Sequence, residues 1–131
     1  MIFVDTGAWY SYFVPTDPDS EVARAWFSNN REQLVTTDYI IDELLTLFRA
    51  RGESSRAIDI GQQLWRSEHA ELWYLSEQDL AEAWNVYRRY DDKDWSFTDC
   101  TSYALMKREG IRKAFAFDRH FRQFDGITVV P

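Results

Sequence analysis

Two aspartates follow short apolar segments in the same way. Ile2–Val4 leads into Asp5, and Ala114–Phe117 leads into Asp118. If both segments are neighbouring parallel strands, the two side chains meet at the carboxyl edge of the sheet, where α/β proteins bind ligands. Two carboxylates at that edge repel each other unless something neutralises them. Either Asp alone is better explained as a helix N-cap, because Asp is favoured there, but the matched pair favours a shared site.

A third acid borders the apolar side of a helical segment. Glu43 lies three residues after Ile40 and four residues before Leu47, so it lies at the edge of the apolar stripe. A carboxylate at the edge of a buried face is costly unless it pairs with a basic side chain or binds a metal. Both explanations remain open for Glu43.

A fourth acid has a specific structural alternative. Ser96-Phe97-Thr98-Asp99 fits a capping box, in which the side chain of the third helical residue accepts a hydrogen bond from the cap's amide. Ser76-Glu77-Gln78-Asp79 fits the same pattern at the preceding helix. The pattern therefore does not distinguish Asp99 from Asp79.

The string Asp5-Thr6-Gly7 also occurs in aspartic proteases, which are all-β proteins with a second catalytic Asp from another lobe or from a dimer partner. This chain has one such string, and its amphipathic helical segments do not fit an all-β protein. We therefore regard the protease string as a coincidence.

The elements that position these acids follow from the hydrophobic pattern. Strands are predicted at Ile2–Val4, Gln33–Thr36, Glu71–Leu75, Ala114–Phe117 and Ile127–Val130. Helices are predicted at Ser20–Asn30, Asp38–Ala50, Ala57–Trp65, Ser76–Tyr90 and Phe97–Arg108. This alternation predicts an α/β sandwich around a mostly parallel sheet that is covered on both faces.

Composition narrows the class of protein. The 131 residues suggest a single domain, 1–131, and 45% hydrophobic residues indicate a globular chain. Cys100 is the only cysteine, which favours a reducing cytoplasm and excludes an internal disulfide. We expect neither secretion nor a membrane span, because no signal-like or long apolar segment occurs. The formal charge of −7 argues against a general nucleic-acid coat protein but allows a local basic patch.

Four segments together resemble one known family. They are "IFVDTGAWY", "DYIIDELLTLFR", "WSFTDCTSYALMKREG" and "KAFAFDRHFRQF". Each is moderately specific alone, whereas the four in this order resemble a PIN domain, and most closely a stand-alone VapC-type toxin ribonuclease. The resemblance covers Met1 to Pro131 and implies a PIN-like three-layer sandwich.

The resemblance also implies a site. The family's acidic metal-site residues match Asp5, Glu43, Asp99 and Asp118, and its supporting hydroxyl residues match Thr6, Ser96 and Thr98. Four carboxylates without a Cys–His cluster suit Mg²⁺ or Mn²⁺ and are poor for zinc. The implied activity is hydrolysis of RNA phosphodiester bonds by a metal-activated water, leaving 5′-phosphate and 3′-hydroxyl ends.

Further residues are candidates for contacts with RNA. Arg119 and Arg122 are candidates to contact RNA phosphates because they follow Asp118 directly. His120 is either a general acid or a surface or phosphate contact. Trp9 and Trp95 are candidates to stack on bases, although packing in the core or at an interface explains them better.

Two other classes of α/β enzyme with acidic pockets do not fit these residues. A phosphoacceptor receiver domain needs an acid where Val4 stands and a lysine after Asp118, and a haloacid-type phosphatase needs a second Asp where Gly7 stands. A non-toxin RNA-processing nuclease and a catalytically silent PIN-like binding module stay open. For the toxin, the resemblance implies an RNA substrate, a cognate antitoxin protein and a homodimer.

Overall fold

The computed structural model describes all residues from Met1 to Pro131 and contains five strands and six α-helices. The strands are β1 Ile2–Val4, β2 Leu34–Thr37, β3 Glu71–Trp73, β4 Lys113–Phe115 and β5 Thr128–Val130. The helices are α1 Thr6–Phe13, α2 Ser20–Asn29, α3 Asp38–Ala50, α4 Ser54–Trp65, α5 Glu77–Arg89 and α6 Phe97–Glu109. A short 3-10 helix covers Arg119–Gln123.

The five strands form one sheet in the order β3-β2-β1-β4-β5, and every pairing is parallel. β1 lies at the centre, with β2 on one side and β4 on the other. The chain moves outward from β1 to β2 and β3, and then crosses back to β4 beyond β1. The carboxyl ends of β1 and β4 therefore form the topological switch point, where open α/β sheets bind ligands.

Helices cover both faces of the sheet. Phe115 of β4 stacks on Trp26 of α2, with ring centroids 4.3 Å apart. Phe3 of β1 packs on Phe121 of the 3-10 helix at 6.3 Å. Val4 is the residue that pairs with Phe115, so Phe3 and Phe115 point to opposite faces. The predicted three-layer α/β sandwich is confirmed, and its sheet is wholly parallel.

The sequence pattern missed helix α1. This helix begins one residue after β1 and buries six of its eight residues: Thr6, Ala8, Trp9, Tyr10, Ser11 and Phe13. A helix buried on nearly all sides lacks the alternation of apolar and polar faces that marks a surface helix. β4 is also shorter than predicted, since it ends at Phe115, so Asp118 lies three residues beyond the strand.

The apolar residues of α5 lie on more than one side of the helix. Leu80, Ala83, Trp84 and Tyr87 have helical spacing in the sequence, but of these four only Ala83 is buried, together with Val86. Trp84 is 52% exposed and Tyr87 is 44% exposed. Both stripes have helical spacing, and only the position of α6 decides which of them is buried.

Trp9 and Trp95 are core residues, as the alternative to base stacking suggested, and Cys100 also lies in the core. Trp9 is fully buried and donates a hydrogen bond from Nε1 to Thr36 Oγ1 at 3.2 Å, and Trp95 is also buried. Cys100 is buried, and this burial, with a smaller effect of the Asp99 charge, raises its thiol pKa to about 11. None of the six helices combines the length and the apolar character that a bilayer crossing requires.

Candidate metal centre

Asp5 occupies the N-cap position of α1 but does not act as a cap. Its side chain makes no capping hydrogen bond, although its backbone is extended as an N-cap requires. The residue is buried, and its amide donates to the Phe115 carbonyl at 3.0 Å, which fixes it between β1 and β4. The sheet therefore positions the Asp5 carboxylate, and this carboxylate does not cap the helix.

Glu43 extends from α3 toward Thr6, the residue after Asp5. The Thr6 hydroxyl donates to Glu43 Oε1 at 2.5 Å, and no Lys or Arg forms an ion pair with Glu43. This contact agrees with the supporting role predicted for Thr6. The alternative that Glu43 is neutralised by a basic side chain is therefore wrong.

Asp99 does form the predicted capping box at the start of α6. Its Oδ2 accepts from the Ser96 amide at 3.1 Å, and its own amide donates to the Ser96 hydroxyl at 3.0 Å. The same Oδ2 lies 2.9 Å from His120 Nδ1. Asp99 therefore caps α6 and contacts His120 through the same oxygen, Oδ2. The other oxygen, Oδ1, accepts no hydrogen bond from the protein.

Asp118 begins the 3-10 helix and stands beside His120. Its Oδ1 accepts from the His120 amide at 2.9 Å and lies 3.5 Å from His120 Nδ1, and its side chain is 40% exposed. Ligand-type atoms of Asp99, Asp118 and His120 all lie within 4.8 Å of one another, which is a spacing suited to a metal ion. Asp118 is thus the most accessible acid of the cluster.

Burial and mutual repulsion act on these acids together. Burial raises the pKa of Asp5 well above its usual range, and repulsion from Asp99, Glu43 and Asp118 raises it further. Burial also raises the pKa of Glu43 and of Asp99, and Asp118 adds to both effects. The charges of the four carboxylates act on one another, and we call these four residues the acid cluster. Asp5 and Glu43 do not belong to the group with ligand atoms within 4.8 Å of one another, which consists of Asp99, Asp118 and His120.

His120 is the residue that the sequence left undecided. Its side chain is largely buried, with Nδ1 facing Asp99 and Nε2 buried without a hydrogen-bond partner. The interpretation of His120 as a surface residue is therefore wrong. The sequence indicated this placement only through the position of His120 two residues after Asp118, because a tight turn there directs the ring back into the cluster.

Asp79 provides an internal comparison with Asp99. It forms the same capping box with Ser76, but its Oδ1 is 2.6 Å from the Arg108 guanidinium. Asp99 instead has other carboxylates and His120 as neighbours. Identical sequence patterns thus produce a neutralised cap in one helix and a member of the acid cluster in the other.

The remaining predicted residues lie at the rim. Arg119 is 77% exposed, with a long contact of 3.9 Å to Asp94, and Arg122 is also exposed. The Thr98 carbonyl accepts from the hydroxyls of Thr101 and Ser102. The phosphate contacts of the two arginines and the supporting role of Thr98 stay predictions.

The raised pKa values predict how metal-free stability depends on pH. Because the folded-state pKa values of Asp5, Glu43 and Asp99 exceed their unfolded-state values, the folded protein binds more protons above about pH 4. The free energy of unfolding should therefore fall as pH rises through these values. Melting curves in EDTA between pH 5 and pH 8 measure this, and Asp5→Asn should show a smaller fall than wild type. Parallel pH profiles for the two proteins would contradict the shared acid cluster.

Comparisons with known proteins identify the family of the chain. A family model described as "PIN domain" matches residues 2–127. The 23S rRNA-specific endonuclease VapC20 of Mycobacterium tuberculosis is 28% identical over 131 residues, which covers 100% of this chain and 99% of that protein.

Solved structures show the same fold. The crystal structure of Mycobacterium tuberculosis VapC20, described as a Sarcin-Ricin loop cleaving toxin, matches with a TM-score of 0.89 and 26% identity, covering 97% of this chain and 98% of that one. VapBC2 from Rickettsia felis, solved with a promoter DNA fragment, matches with a TM-score of 0.68 at 10% identity over 99% and 98% of the chains. The family model spans nearly the whole sequence, and the chain belongs to the PIN domain family.

Proposed function

We propose that this protein is a divalent-metal-dependent endoribonuclease and the toxin of a toxin–antitoxin pair. One observation carries the proposal. Asp5, Glu43, Asp99 and Asp118 influence one another electrostatically without a Lys or Arg partner, and each keeps at least one oxygen that accepts no protein hydrogen bond. Such oxygens are what a hard divalent cation requires from a protein.

The residues present fit a divalent ion and favour Mg²⁺ or Mn²⁺. The four carboxylates of the acid cluster would hold it, since oxygen ligands suit these ions and the cluster contains no thiolate. When bound, the ion supplies charge neutralisation for a phosphodiester and a more acidic water. Its presence would also offset the repulsion that raises the pKa of Asp5.

The neighbouring side chains position the carboxylates. Thr6 fixes Glu43 through one oxygen, and the Ser96 amide and His120 fix Asp99 through Oδ2. In each case the other oxygen of the carboxylate is left without a protein donor. These contacts orient the free oxygens and limit rotamer changes, as outer contacts of metal ligands commonly do.

The substrate contact is proposed on chemical grounds. Arg119 and Arg122 lie at the exposed rim directly after Asp118, where a phosphate approaching the cluster would pass. Sequence similarity to an rRNA endonuclease over the full chain supports RNA as the substrate class. Hydrolysis at this site should leave 5′-phosphate and 3′-hydroxyl ends.

The partners follow from the same proposal. Similarity to VapC20, a toxin by description, supports a cognate antitoxin protein, and the VapBC2 structure shows the same fold. We also propose a homodimer. An RNA substrate and an antitoxin would place the protein in the cytoplasm.

Metal addition should stabilise the fold. A divalent ion that binds only the folded state adds RT ln(1 + [L]/Kd), which is about 2.7 kcal/mol at a hundredfold excess over Kd. The melting temperature should therefore rise in millimolar Mn²⁺ or Mg²⁺ and return to its starting value in EDTA. If the ion leaves the melting temperature of the wild type unchanged, as it should for Asp5→Asn, metal binding by the cluster is contradicted.

Expression in bacteria tests the toxin assignment. Wild-type protein induced alone should arrest growth, and Asp118→Asn at equal abundance should not, because it removes one carboxylate of the cluster. Growth curves with immunoblots measure both. Equal toxicity of the two proteins contradicts the nuclease proposal, whereas a harmless wild type with RNA cleavage in vitro indicates a processing nuclease instead.

A further inference from the structure

Helix α5 has one side in the core and the opposite side in solvent. It buries Asp79, Ala83 and Val86. Residues two positions earlier in the helix point about 200° away, which is nearly opposite to this buried side. The exposed residues of that opposite side follow one another at spacings of four, three and four, and we call them the outer stripe: Glu77, Ala81, Trp84 and Arg88.

The outer stripe ends in two charges that have no ionic partner within the chain. Glu77 lies in the first turn of α5 and Arg88 in the last turn, and neither forms an ion pair. Arg88 donates from Nη2 to Asn85 Oδ1 at 2.9 Å. The helix dipole explains an acid in the first turn and a base in the last turn. It does not explain why Trp84, between them, is 52% exposed.

The outer stripe is complementary to itself when two copies of α5 run antiparallel. Glu77 and Arg88 have the same midpoint along the helix as Ala81 and Trp84. If a twofold axis passes through that midpoint, each residue of a pair faces the other residue of the pair on the second copy. Glu77 then faces Arg88, and Trp84 faces Ala81, which leaves room for the larger side chain. Both the charges and the side-chain volumes therefore match.

We propose that the outer stripe is the contact surface of a homodimer in which two copies of α5 pack antiparallel about a twofold axis. This inference rests on the homodimer of the proposed function and assigns its interface. Charge complementarity favours a second copy as the occupant, because the acid and the base lie at opposite ends of the stripe. Trp84, which stacks on Tyr87 with ring centroids 5.7 Å apart, supplies the aromatic centre that such contacts require.

The mass of the full-length protein in solution tests this surface. Each protein carries Asp118→Asn, so that its production does not depend on its toxicity, and sedimentation equilibrium over a range of concentrations gives the Kd of the dimer. Trp84→Ala should raise this Kd by at least about a hundredfold, because each dimer loses two central rings. Ala81→Lys should also raise it by filling the space opposite Trp84, and should leave the monomer folded because Ala81 is exposed.

Charge reversal tests the antiparallel register. Glu77→Arg and Arg88→Glu each place like charges opposite each other in the dimer, and each should raise the Kd about tenfold. An equimolar mixture of these two variants should form a heterodimer with a Kd close to that of the parent, because each reversed charge then faces an opposite charge. If the charges serve only the helix dipole, mixing should bring no gain, and that result would overturn the proposed register.

Trp65 is the matched control, because it is 42% exposed on α4 and stacks only on Tyr74, at 6.2 Å. Trp65→Ala should keep the Kd of the parent. The proposal is overturned by a monomeric parent, by a Kd that neither Trp84→Ala nor Ala81→Lys changes, or by an equal rise for Trp65→Ala. A monomeric parent whose affinity for a single-stranded oligoribonucleotide falls in Trp84→Ala would assign the face to RNA instead.

These measurements separate the interface from the nuclease, because sedimentation requires neither metal nor RNA. A dimer that the variants disrupt as expected, in a protein that cleaves no RNA with Asp118 intact, contradicts the nuclease and leaves the interface. RNA cleavage by a protein that sediments as a monomer at every concentration overturns the interface and leaves the nuclease.

Discussion

Replacing Asp5 by Asn should abolish metal-dependent RNA cleavage and leave the metal-free fold intact or more stable. Asp5 is buried, does not cap α1, and is repelled by Asp99, Glu43 and Asp118. Ionisation of Asp5 therefore opposes folding through burial and repulsion, and a neutral amide of the same shape removes both effects.

The same amide is a poor ligand for the ion, so the activity should fall while stability does not. A metal ligand that contributes several kcal/mol to stabilisation of the transition state should, when lost, lower the single-turnover rate by at least about a hundredfold. Melting curves in EDTA and cleavage of a model RNA measure the two effects. If activity falls only in proportion to lost folding, Asp5 is a structural residue and the proposed site is wrong.

The two capping boxes allow a second prediction with its own control. Asp79→Asn removes a cap and an ion pair with the half-exposed Arg108, and should cost about 0.5–2 kcal/mol of stability. Its cleavage rate per folded molecule should equal that of wild type, because Asp79 does not belong to the acid cluster.

Asp99→Asn should show the opposite pattern. It loses cap strength at Ser96 but also removes one charge from the cluster, so the metal-free protein should lose little stability. Its cleavage rate should fall by at least about a hundredfold, as for Asp5. Equal cleavage rates for Asp79→Asn and Asp99→Asn would show that Asp99 is only a cap and that the site has at most three acids.

The sequence predicted most of the scaffold because the fold is encoded locally. Short apolar strands alternate with segments of helical spacing, and Gly110 ends α6 in the left-handed conformation with φ of 68°, close to the predicted end of that helix at Arg108. The positions of Asp5 and Asp118 after strands were also visible. The family resemblance then grouped them with Glu43 and Asp99.

Features that depend on long-range packing were not predictable in this way. Helix α1 is buried on nearly all sides, so no polar face marked it. The exposure of Trp84 depends on which side of α5 meets α6, and both sides carry apolar residues. The distinction between Asp79 and Asp99 depends on Arg108 and His120, which lie 29 and 21 residues away in the chain.

The most direct test of the central claim is a metal titration of single-turnover cleavage. Purified wild-type protein is stripped with EDTA, mixed in excess with a labelled single-stranded RNA, and supplied with increasing Mn²⁺. The account predicts no cleavage without metal, a rate that rises and saturates with the ion, and 5′-phosphate ends on the products. Asp5→Asn, measured in parallel, should not reach the wild-type rate at any ion concentration. Full-rate cleavage in EDTA, or an Asp5→Asn titration that overlays the wild-type curve, would contradict a metal centre built from these four carboxylates.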